Sequence, residues 1–336
     1  MAIIHLVPFH PIVVQRPLED WHQMGVDCVG GEIVPVKGRG FFSLLRKVWR
    51  NNVHAQGRGF PFPELAGLFA KRAVYTPHSN TLGQSWLTRV ARRWMFNRFD
   101  RILCQSEFGK EQFLREGIKK RKLTVIPTPV DYSFFSRAAG GTTFRKKHGL
   151  GNKPFALAVG ARPVKNPGVI AKACEKAGLK LVVVGPRTAE DAEKMWGGKG
   201  FEWYLPDEKI QDGGNVVFVG QLSADEYLQA LDAATLFINS SDYESFGMAV
   251  YEAAAAGKAL CLPEHGVFRN FVGAALFHPS RDVDTLAENI ARYVADEKLR
   301  KINGEKAQEV ARAYDYPAAK KVWEKMYTEV FGDGGK

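Results

Sequence analysis

A chain of 336 residues with 45% hydrophobic and 25% charged side chains has the composition of a globular protein, long enough for two domains. No apolar run reaches the length needed to cross a bilayer. Four scattered cysteines without a C-x-x-C pair argue against a disulfide framework or a zinc site, so reduced thiols in a cytoplasmic protein are expected. The formal net charge of +11 is one-sided: residues 1–150 hold 24 Lys+Arg against 10 Asp+Glu, and the remainder holds 23 against 26. Such a field favours an anionic partner for the first half: a membrane surface, an acidic acceptor or a nucleic acid.

The opening residues Met1–Pro8 are apolar but too short for a signal peptide and lack a basic leader. Ile3–Val7 reads as a buried first strand. Phe41–Arg50 is amphipathic at helical spacing, with Phe41, Phe42, Leu44, Leu45, Val48 and Trp49 on one face and Arg46, Lys47 and Arg50 on the other. Ala73–Thr76 is a strand. Trp86–Arg98 repeats the amphipathic theme: Trp86, Leu87, Val90, Ala91, Trp94 and Met95 line one side, with Arg89, Arg92 and Arg93 opposite. The plainer reading of both helices buries their apolar faces in the domain core. The alternative docks them on anionic lipid through Arg46, Lys47, Trp49, Arg50, Arg89, Arg92 and Arg93.

Arg101–Cys104 and Thr124–Ile126 are further strands, with a helix over Lys110–Glu116. The stretch Phe134–Pro154 is rich in breakers and separates a first domain (1–145) from a second (151–315). The second domain alternates strands (Phe155–Val159, Leu181–Val184, Val216–Val219, Leu236–Ile238, Ala259–Leu262) with helices (Asn166–Ala177, Ala224–Ala233, Met248–Ala256). Alternation of this kind predicts parallel sheets with helices on both faces. The last helix, Pro317–Phe331, carries Val322, Trp323, Met326, Tyr327 and Val330 at helical spacing and is expected to pack back across the first domain.

Three second-half strands end in glycine, at Gly160, Gly185 and Gly220. Glycine at a strand's carboxyl end lets a ligand approach the backbone, and open α/β sheets bind ligands at that edge. Arg162 and Lys165 follow the first strand and could neutralise a diphosphate. The segment Ser240-Ser-Asp-Tyr-Glu244-Ser-Phe-Gly-Met-Ala-Val-Tyr-Glu252 leaves a strand and opens a helix near Gly247. The N–H groups of Phe246, Gly247 and Met248 would then point at an anion. If the span were fully helical, Glu244 and Glu252 would lie roughly 12 Å apart at about 1.5 Å per residue. A glycosidase pair sits about 5–9.5 Å apart, so two anchors on a long ligand suit the spacing better. The bland alternative makes Glu244 a helix N-terminal charge and Glu252 part of a surface pair.

This segment resembles the E-x7-E signature of retaining glycosyltransferases of family 4, which have the GT-B fold. The resemblance extends along the chain in order: Val53-His-Ala-Gln-Gly57, Tyr75-Thr-Pro-His78-Ser, Ser106-Glu-Phe-Gly-Lys, Val125-Ile-Pro-Thr-Pro-Val-Asp131, Gly160-Ala-Arg162 to Lys165, and Phe218-Val-Gly-Gln-Leu-Ser. It implies two Rossmann-like domains whose parallel sheets face a central cleft, and a nucleotide-diphosphate sugar as substrate with no cofactor. It also implies roles. Arg162 and Lys165 would hold the diphosphate beside Gly160, and Glu244 would bind hydroxyls of the transferred sugar. The amides of Phe246, Gly247 and Met248 would meet phosphate and sugar, Glu252 the ribose, and Leu222 would border the base. His78 would sit in the cleft facing the sugar. Two departures stand out. Pro8–Val14 contains no glycine where relatives carry a Gly-Gly loop, with His10 a candidate substitute, and the Arg-to-Lys interval is short.

Asp282-Val-Asp284 has a metal-binding D-x-D form but precedes a helical stretch, where Asp is an ordinary cap. No metal is expected, since Arg162, Lys165 and the helix N-terminus supply positive charge. The expected reaction is hexosyl transfer with retention to a sugar, lipid-linked or acidic acceptor, by a cytoplasmic enzyme that associates peripherally with the inner membrane face. An epimerase of the same fold is the alternative. A basic nucleic-acid-binding protein is disfavoured because no zinc finger, RRM-like motif or GXXG loop is present. Base choice would depend on the segments Gly185–Arg187 and Gly220–Ser223.

Overall fold

The computed structural model describes residues 3–7, 28, 30–35, 40–57, 62–78, 85–126, 128–186, 188, 190–191 and 213–332. The loop Pro8–Val14, His10 and Arg187 lie outside them. The chain forms two compact units, which divide at Pro129–Val130 and again at Asp315–Tyr316.

The first unit runs β1 (Ile3–Val7), β2 (Glu32–Pro35), α1 (Phe41–Val48), β3 (Asn52–Gln56), α2 (Phe62–Phe69), β4 (Arg72–Thr76), α3 (Trp86–Phe96), β5 (Arg101–Cys104), α4 (Glu107–Arg115) and β6 (Leu123–Val125). Its sheet has the order β2-β1-β3-β4-β5-β6, and every pairing is parallel. Helices cover both faces, so a central strand such as β3 is buried at every position.

The second unit begins with α5 (Tyr132–Phe135) and α6 (Thr142–Lys147), then β7 (Phe155–Val159), α7 (Pro167–Lys176), β8 (Lys180–Val184) and β9 (Val216–Phe218). It continues through α8 (Ala224–Ala233), β10 (Leu236–Ile238), α9 (Met248–Ala255), β11 (Leu260–Pro263), β12 (Ala275–His278), α10 (Val283–Ala295) and α11 (Glu297–Arg312). The strand order β12-β11-β10-β7-β8-β9 is again all parallel. Chain direction across the sheet reverses between β7 and β10, and such a switch point opens a crevice at the strands' carboxyl ends. Ile170, Ala173, Leu286 and Ile290 of the flanking helices close on Ala156, Leu181, Ile238 and Cys261.

The last helix, α12 (Tyr316–Phe331), belongs to the first unit. Ala319, Trp323, Met326, Tyr327 and Val330 pack on Ile3, Val74, Leu103 and Ile126. His54 in β3 bridges the hydroxyls of Tyr327 (2.6 Å) and Thr76 (2.9 Å).

Several expectations are revised. The stretch Phe134–Pro154, read as a linker, carries helices tied into the second unit: Gly141 N donates to Asp232 Oδ2 (2.9 Å) and Arg145 Nη2 to the Ala233 carbonyl (2.6 Å). Strands β2 and β12 and helix α11 have no counterpart in the sequence reading. The strands are only four residues long, and α11 buries only a small-residue stripe through Asn303, Gly304, Ala307 and Ala311. The plainer reading of the amphipathic helices holds for α1 only in part. Leu44 and Val48 enter the core, but Phe42 and Trp49 are exposed, Trp49 stacking on Phe69. Lys47 is ion-paired with Glu32 at 2.7 Å. For α3 the plainer reading fails: only Met95 and Phe96 are buried, and Trp86, Leu87, Val90 and Trp94 face outward.

All four cysteines are free thiols, and burial pushes those of Cys104 and Cys174 up to about 12. Among the described residues no helix is long and apolar enough to cross a membrane.

Candidate functional site

The switch point brings the ends of β7 and β10 together. Beyond β7, Gly160 adopts φ +91°, a conformation that calls for glycine, and the Lys165 stem packs beside it. Arg162 precedes a single 3-10 turn, Pro163–Lys165. Asn166 then takes a left-handed conformation, φ +49°, and Pro167 starts α7 where its missing N–H costs nothing. The three strand-end glycines are in register: Gly160 N donates to the Val184 carbonyl and Gly185 N to the Gly220 carbonyl, both at 2.8 Å. Leu222, just beyond Gly220, is buried.

Beyond β10 the loop Asn239–Phe246 carries Glu244. Its carboxylate accepts hydrogen bonds from Lys165 Nζ, Asn239 Nδ2 (3.2 Å) and Ser241 Oγ (2.9 Å). Burial alone would raise the Glu244 pKa. The Lys165 ammonium and the Asn239 and Ser241 donors outweigh it and hold the carboxyl below its usual range. Both partners are largely shielded, with side-chain exposures of 19% and 12%, so the pair is a charged centre inside the crevice.

A second tie lies behind this pair. Asp242 accepts from Arg281 Nη2 (2.5 Å), Ser280 Oγ (2.9 Å) and Asn166 Nδ2 (2.7 Å), and Asp242 N donates to the Val164 carbonyl (2.9 Å). The Arg281 guanidinium, first among these donors, holds Asp242 below the usual carboxylate range. Asp242, Asn166, Asn239 and Ser241 are site residues that sequence reasoning missed. Their polar character next to Lys165 and Glu244 was the available signal.

Helix α9 starts at Met248 behind Gly247, which has φ +90° and is followed by no side-chain cap. A Cβ on Gly247 would lie 2.6 Å from Phe268 Cε1. Phe246 stacks on Tyr251 with ring centroids 4.1 Å apart, fixing the entry of the chain into the helix. Because α9 follows β10, it starts at the carboxyl edge of the sheet, and a helix N-terminus at that edge favours an anion. Glu252, one turn into the helix, is 1% exposed, so the surface-pair alternative does not hold. The helix begins only at Met248, so Glu244 and Glu252 do not share a helix as the spacing argument allowed.

His265, at the end of β11, was also missed. Burial lowers its pKa, and the negative charge of the Glu244 carboxylate opposes that shift. His278, at the end of β12, meets Ser240 Oγ at 3.1 Å. Asp282 caps α10, accepting from the N–H groups of Asp284 and Thr285, each at 3.0 Å, and from Thr285 Oγ1 at 2.9 Å. Asp284 pairs with Lys176 at 2.5 Å. Asp282 thus serves as the cap of α10, and Asp284 pairs with a lysine of α7.

In the first unit, His78 follows the end of β4 with φ +47°, one of four non-glycine residues with positive φ among the described residues. Gln105 Nε2 lies 3.1 Å from His78 Nδ1. With Gln105 donating, Nδ1 accepts and the imidazole proton sits on Nε2. A left-handed histidine held by a side-chain amide is the kind of local strain that clusters at functional sites.

In the second unit, Arg162, Lys165 and the α9 N-terminus can receive an anion, while Glu244 and Glu252 can accept hydrogen bonds from hydroxyls. The comparisons with known proteins bear on the family and the fold. The family model described as "Glycosyl transferases group 1" matches residues 141–310, and "Glycosyltransferase Family 4" matches residues 31–134. An uncharacterized glycosyltransferase of Methanocaldococcus jannaschii is 23% identical over 314 residues, 88% of this chain and 82% of its own. The sulfoquinovosyl transferase SQD2 of Arabidopsis thaliana is 29% identical over 119 residues, 33% of this chain, and the matched part spans only 23% of that protein. Among solved structures, sucrose-phosphate synthase from Thermosynechococcus elongatus superposes with a TM-score of 0.74 at 17% identity, covering 98% of this chain and 99% of that one. HepE of Anabaena, in complex with UDP-glucose, gives 0.75 at 16% identity, covering 98% and 100%. The fold is GT-B, and the chain belongs to the group 1 glycosyl transferases.

Proposed function

We propose that this protein transfers a hexose from a nucleotide-diphosphate sugar to an acceptor hydroxyl, with retention at the anomeric carbon and without a metal ion. The carrying observation is the shielded Lys165–Glu244 pair at the switch point, beside a glycine-started helix N-terminus. Arg162, Lys165 and the α9 amides would bind the diphosphate and stabilise charge as it develops on the leaving oxygen. Glu244 would exchange its Lys165 contact for sugar hydroxyls, and Glu252 would accept from the ribose. Leu222 would border the base. That HepE was solved with UDP-glucose supports a uridine nucleotide as the first donor to try.

In the reaction, the anomeric carbon's bond to the diphosphate oxygen breaks as the acceptor oxygen bonds on the same face. The leaving diphosphate takes the acceptor's proton. His78 is the first unit's candidate for substrate contact. The charge excess of the first half supports an acidic or lipid-linked acceptor and peripheral placement on a cytoplasmic membrane face.

A thermal-shift screen against UDP-, GDP- and ADP-sugars tests the donor, since a bound ligand raises the melting temperature by mass action. Turnover with EDTA present, followed by NMR of the product's anomeric proton, tests the rest. An inverted product, or activity abolished by EDTA and restored by a divalent cation, would overturn the mechanism. Conversion of donor alone into an isomeric nucleotide sugar would replace transfer with epimerisation.

A further inference from the structure

Helix α3 is built inside out. At about 100° per residue, Trp86, Val90, Trp94 and Leu87 fall within a sector about 100° wide. Their exposures are 70%, 49%, 51% and 62%. Met95 and Phe96, its buried residues, lie on the opposite side, where Phe96 packs edge-on against Tyr75 at 4.9 Å. A surface helix of a globular protein ordinarily turns its apolar stripe inward. Here the inward contact is made by two residues near the helix C-terminus, and the broad apolar stripe is presented to the outside.

The charge that the helix itself carries is all cationic. Residues 86–98 include Arg89, Arg92, Arg93 and Arg98 and no Asp or Glu. By helical position Arg89 and Arg93 fall along one flank of the stripe, and the Arg93 side chain lies beside Gly117. On the other, the Arg98 guanidinium sits over the Trp94 ring at 4.6 Å. Ser85 caps the helix start, accepting from Thr88 N at 3.2 Å, so the element is a formed helix and not a frayed loop. The four side chains expose on the order of 400 Å² of apolar surface, the size at which a patch marks an interaction site.

We propose that α3 is a docking element for a bilayer surface that contains anionic phospholipid, with the Trp86–Leu87–Val90–Trp94 stripe in the headgroup–acyl boundary and Arg89, Arg93 and Arg98 on lipid phosphates. Tryptophan is suited to that boundary because one part of its ring system is apolar and its N–H needs a polar partner. Arginine beside it gains from the negative surface potential. A second copy of the chain fits less well: stripe against stripe would set arginine against arginine, with no carboxylate on either helix to relieve the repulsion. Helix α1 is not the equivalent element, since Leu44 and Val48 point into the core and Lys47 is held by Glu32. The inference deepens the acceptor reading above, because an enzyme held on a lipid surface meets lipid-linked acceptors there. Docking itself does not depend on the donor chemistry.

Co-sedimentation of the full chain with vesicles tests it. Phosphatidylcholine vesicles containing a minority of phosphatidylglycerol should pellet the protein at low salt. Pure phosphatidylcholine vesicles should pellet much less, and high salt should release it. A Trp86→Ser/Trp94→Ser variant should lose binding roughly tenfold or more with an unchanged far-UV spectrum and unchanged donor-induced thermal shift. Arg89→Gln/Arg93→Gln should weaken binding and flatten its salt dependence. Three outcomes would overturn the proposal: no lipid-dependent pelleting of the wild type at low salt, pelleting that the tryptophan variant retains in full, or a dimer in solution that the tryptophan variant abolishes while vesicles bind neither form. Donor binding measured on the same samples separates failure here from failure of the transferase reading.

Discussion

Asn166 Nδ2 donates to Asp242 Oδ1 at 2.7 Å, and the same amide reaches the Ser240 carbonyl at 2.9 Å. The two residues are far apart in sequence, yet Asn166 directly follows Lys165 and Asp242 stands two before Glu244. The bond therefore ties together the two backbone segments that carry the charged pair. Asn166 and Arg281, on either side of Asp242, both hold left-handed conformations, φ +49° and +62°. Conformational strain at these two residues is offset by the hydrogen bonds that converge on the carboxylate.

Removing that tie should misplace Lys165 without removing it. Asp242→Ala leaves the Asn166 amide with the Ser240 carbonyl alone, removes the acceptor of Arg281 and Ser280, and should cost about 1–3 kcal/mol in stability. Donor KM should rise about tenfold or more, with a smaller fall in kcat, since binding geometry is lost before chemistry. Asp242→Asn should recover part of the loss. Steady-state kinetics beside urea unfolding separate the two effects.

Breaking the Lys165–Glu244 pair from one side should be worse than removing both charges. Lys165→Met leaves a shielded carboxylate without its cation, and losses of about 3–5 kcal/mol are typical of that change. The double variant Lys165→Met/Glu244→Gln should be more stable than Lys165→Met alone, although both are inactive. A double-mutant cycle on urea midpoints gives the coupling.

Burial drives the His278 pKa down to about 4 from an ordinary value of 6.5. A histidine with a depressed folded pKa leaves the unfolded chain binding more protons between those values. Stability is therefore fully present above about pH 6.5 and falls as pH drops toward 4, by roughly 3 kcal/mol for a shift of this size. His265 and His148 are shifted the same way by burial and add to the slope. His278→Asn should flatten the pH dependence of the unfolding free energy between pH 7 and 5 more than His148→Asn does. Equal slopes would remove His278 from the account.

Gly247→Ala should abolish donor binding while leaving the fold intact or weakened by about 1–3 kcal/mol. An alanine there must adopt φ near +90° with its Cβ 2.6 Å from the Phe268 ring. The start of α9 has to shift to relieve the clash, and the amides at the crevice shift with it. Loss of the UDP-dependent thermal shift checks this, and an undiminished shift would refute the role given to the helix N-terminus.

Much of the second unit was legible from residue order alone. Strand ends marked by Gly160, Gly185 and Gly220, the loop-to-helix change at Gly247 and the Asp282 cap all appear where the sequence places them. Each depends on interactions within a few residues: glycine conformations, side chains bonding to the next turn, and the 2- and 3.6-residue periods of burial. Elements held by tertiary packing were harder to see. β12 is four residues long, and α11 presents only small side chains to the core, so neither has a strong period of its own.

By itself, then, the sequence determined the alternating strand–helix order, the positions of the charged and glycine residues along it, and the existence of an apolar face on α3. Tertiary structure alone decided which way that face points, because helical periodicity records that a stripe exists and not which side the rest of the chain covers. It likewise decided that Asp242, Asn166 and Arg281 converge behind the Lys165–Glu244 pair. Convergence of that kind requires β7, β10 and β12 to lie in one sheet, and strand pairing across a crossover is a long-range property that no local pattern encodes.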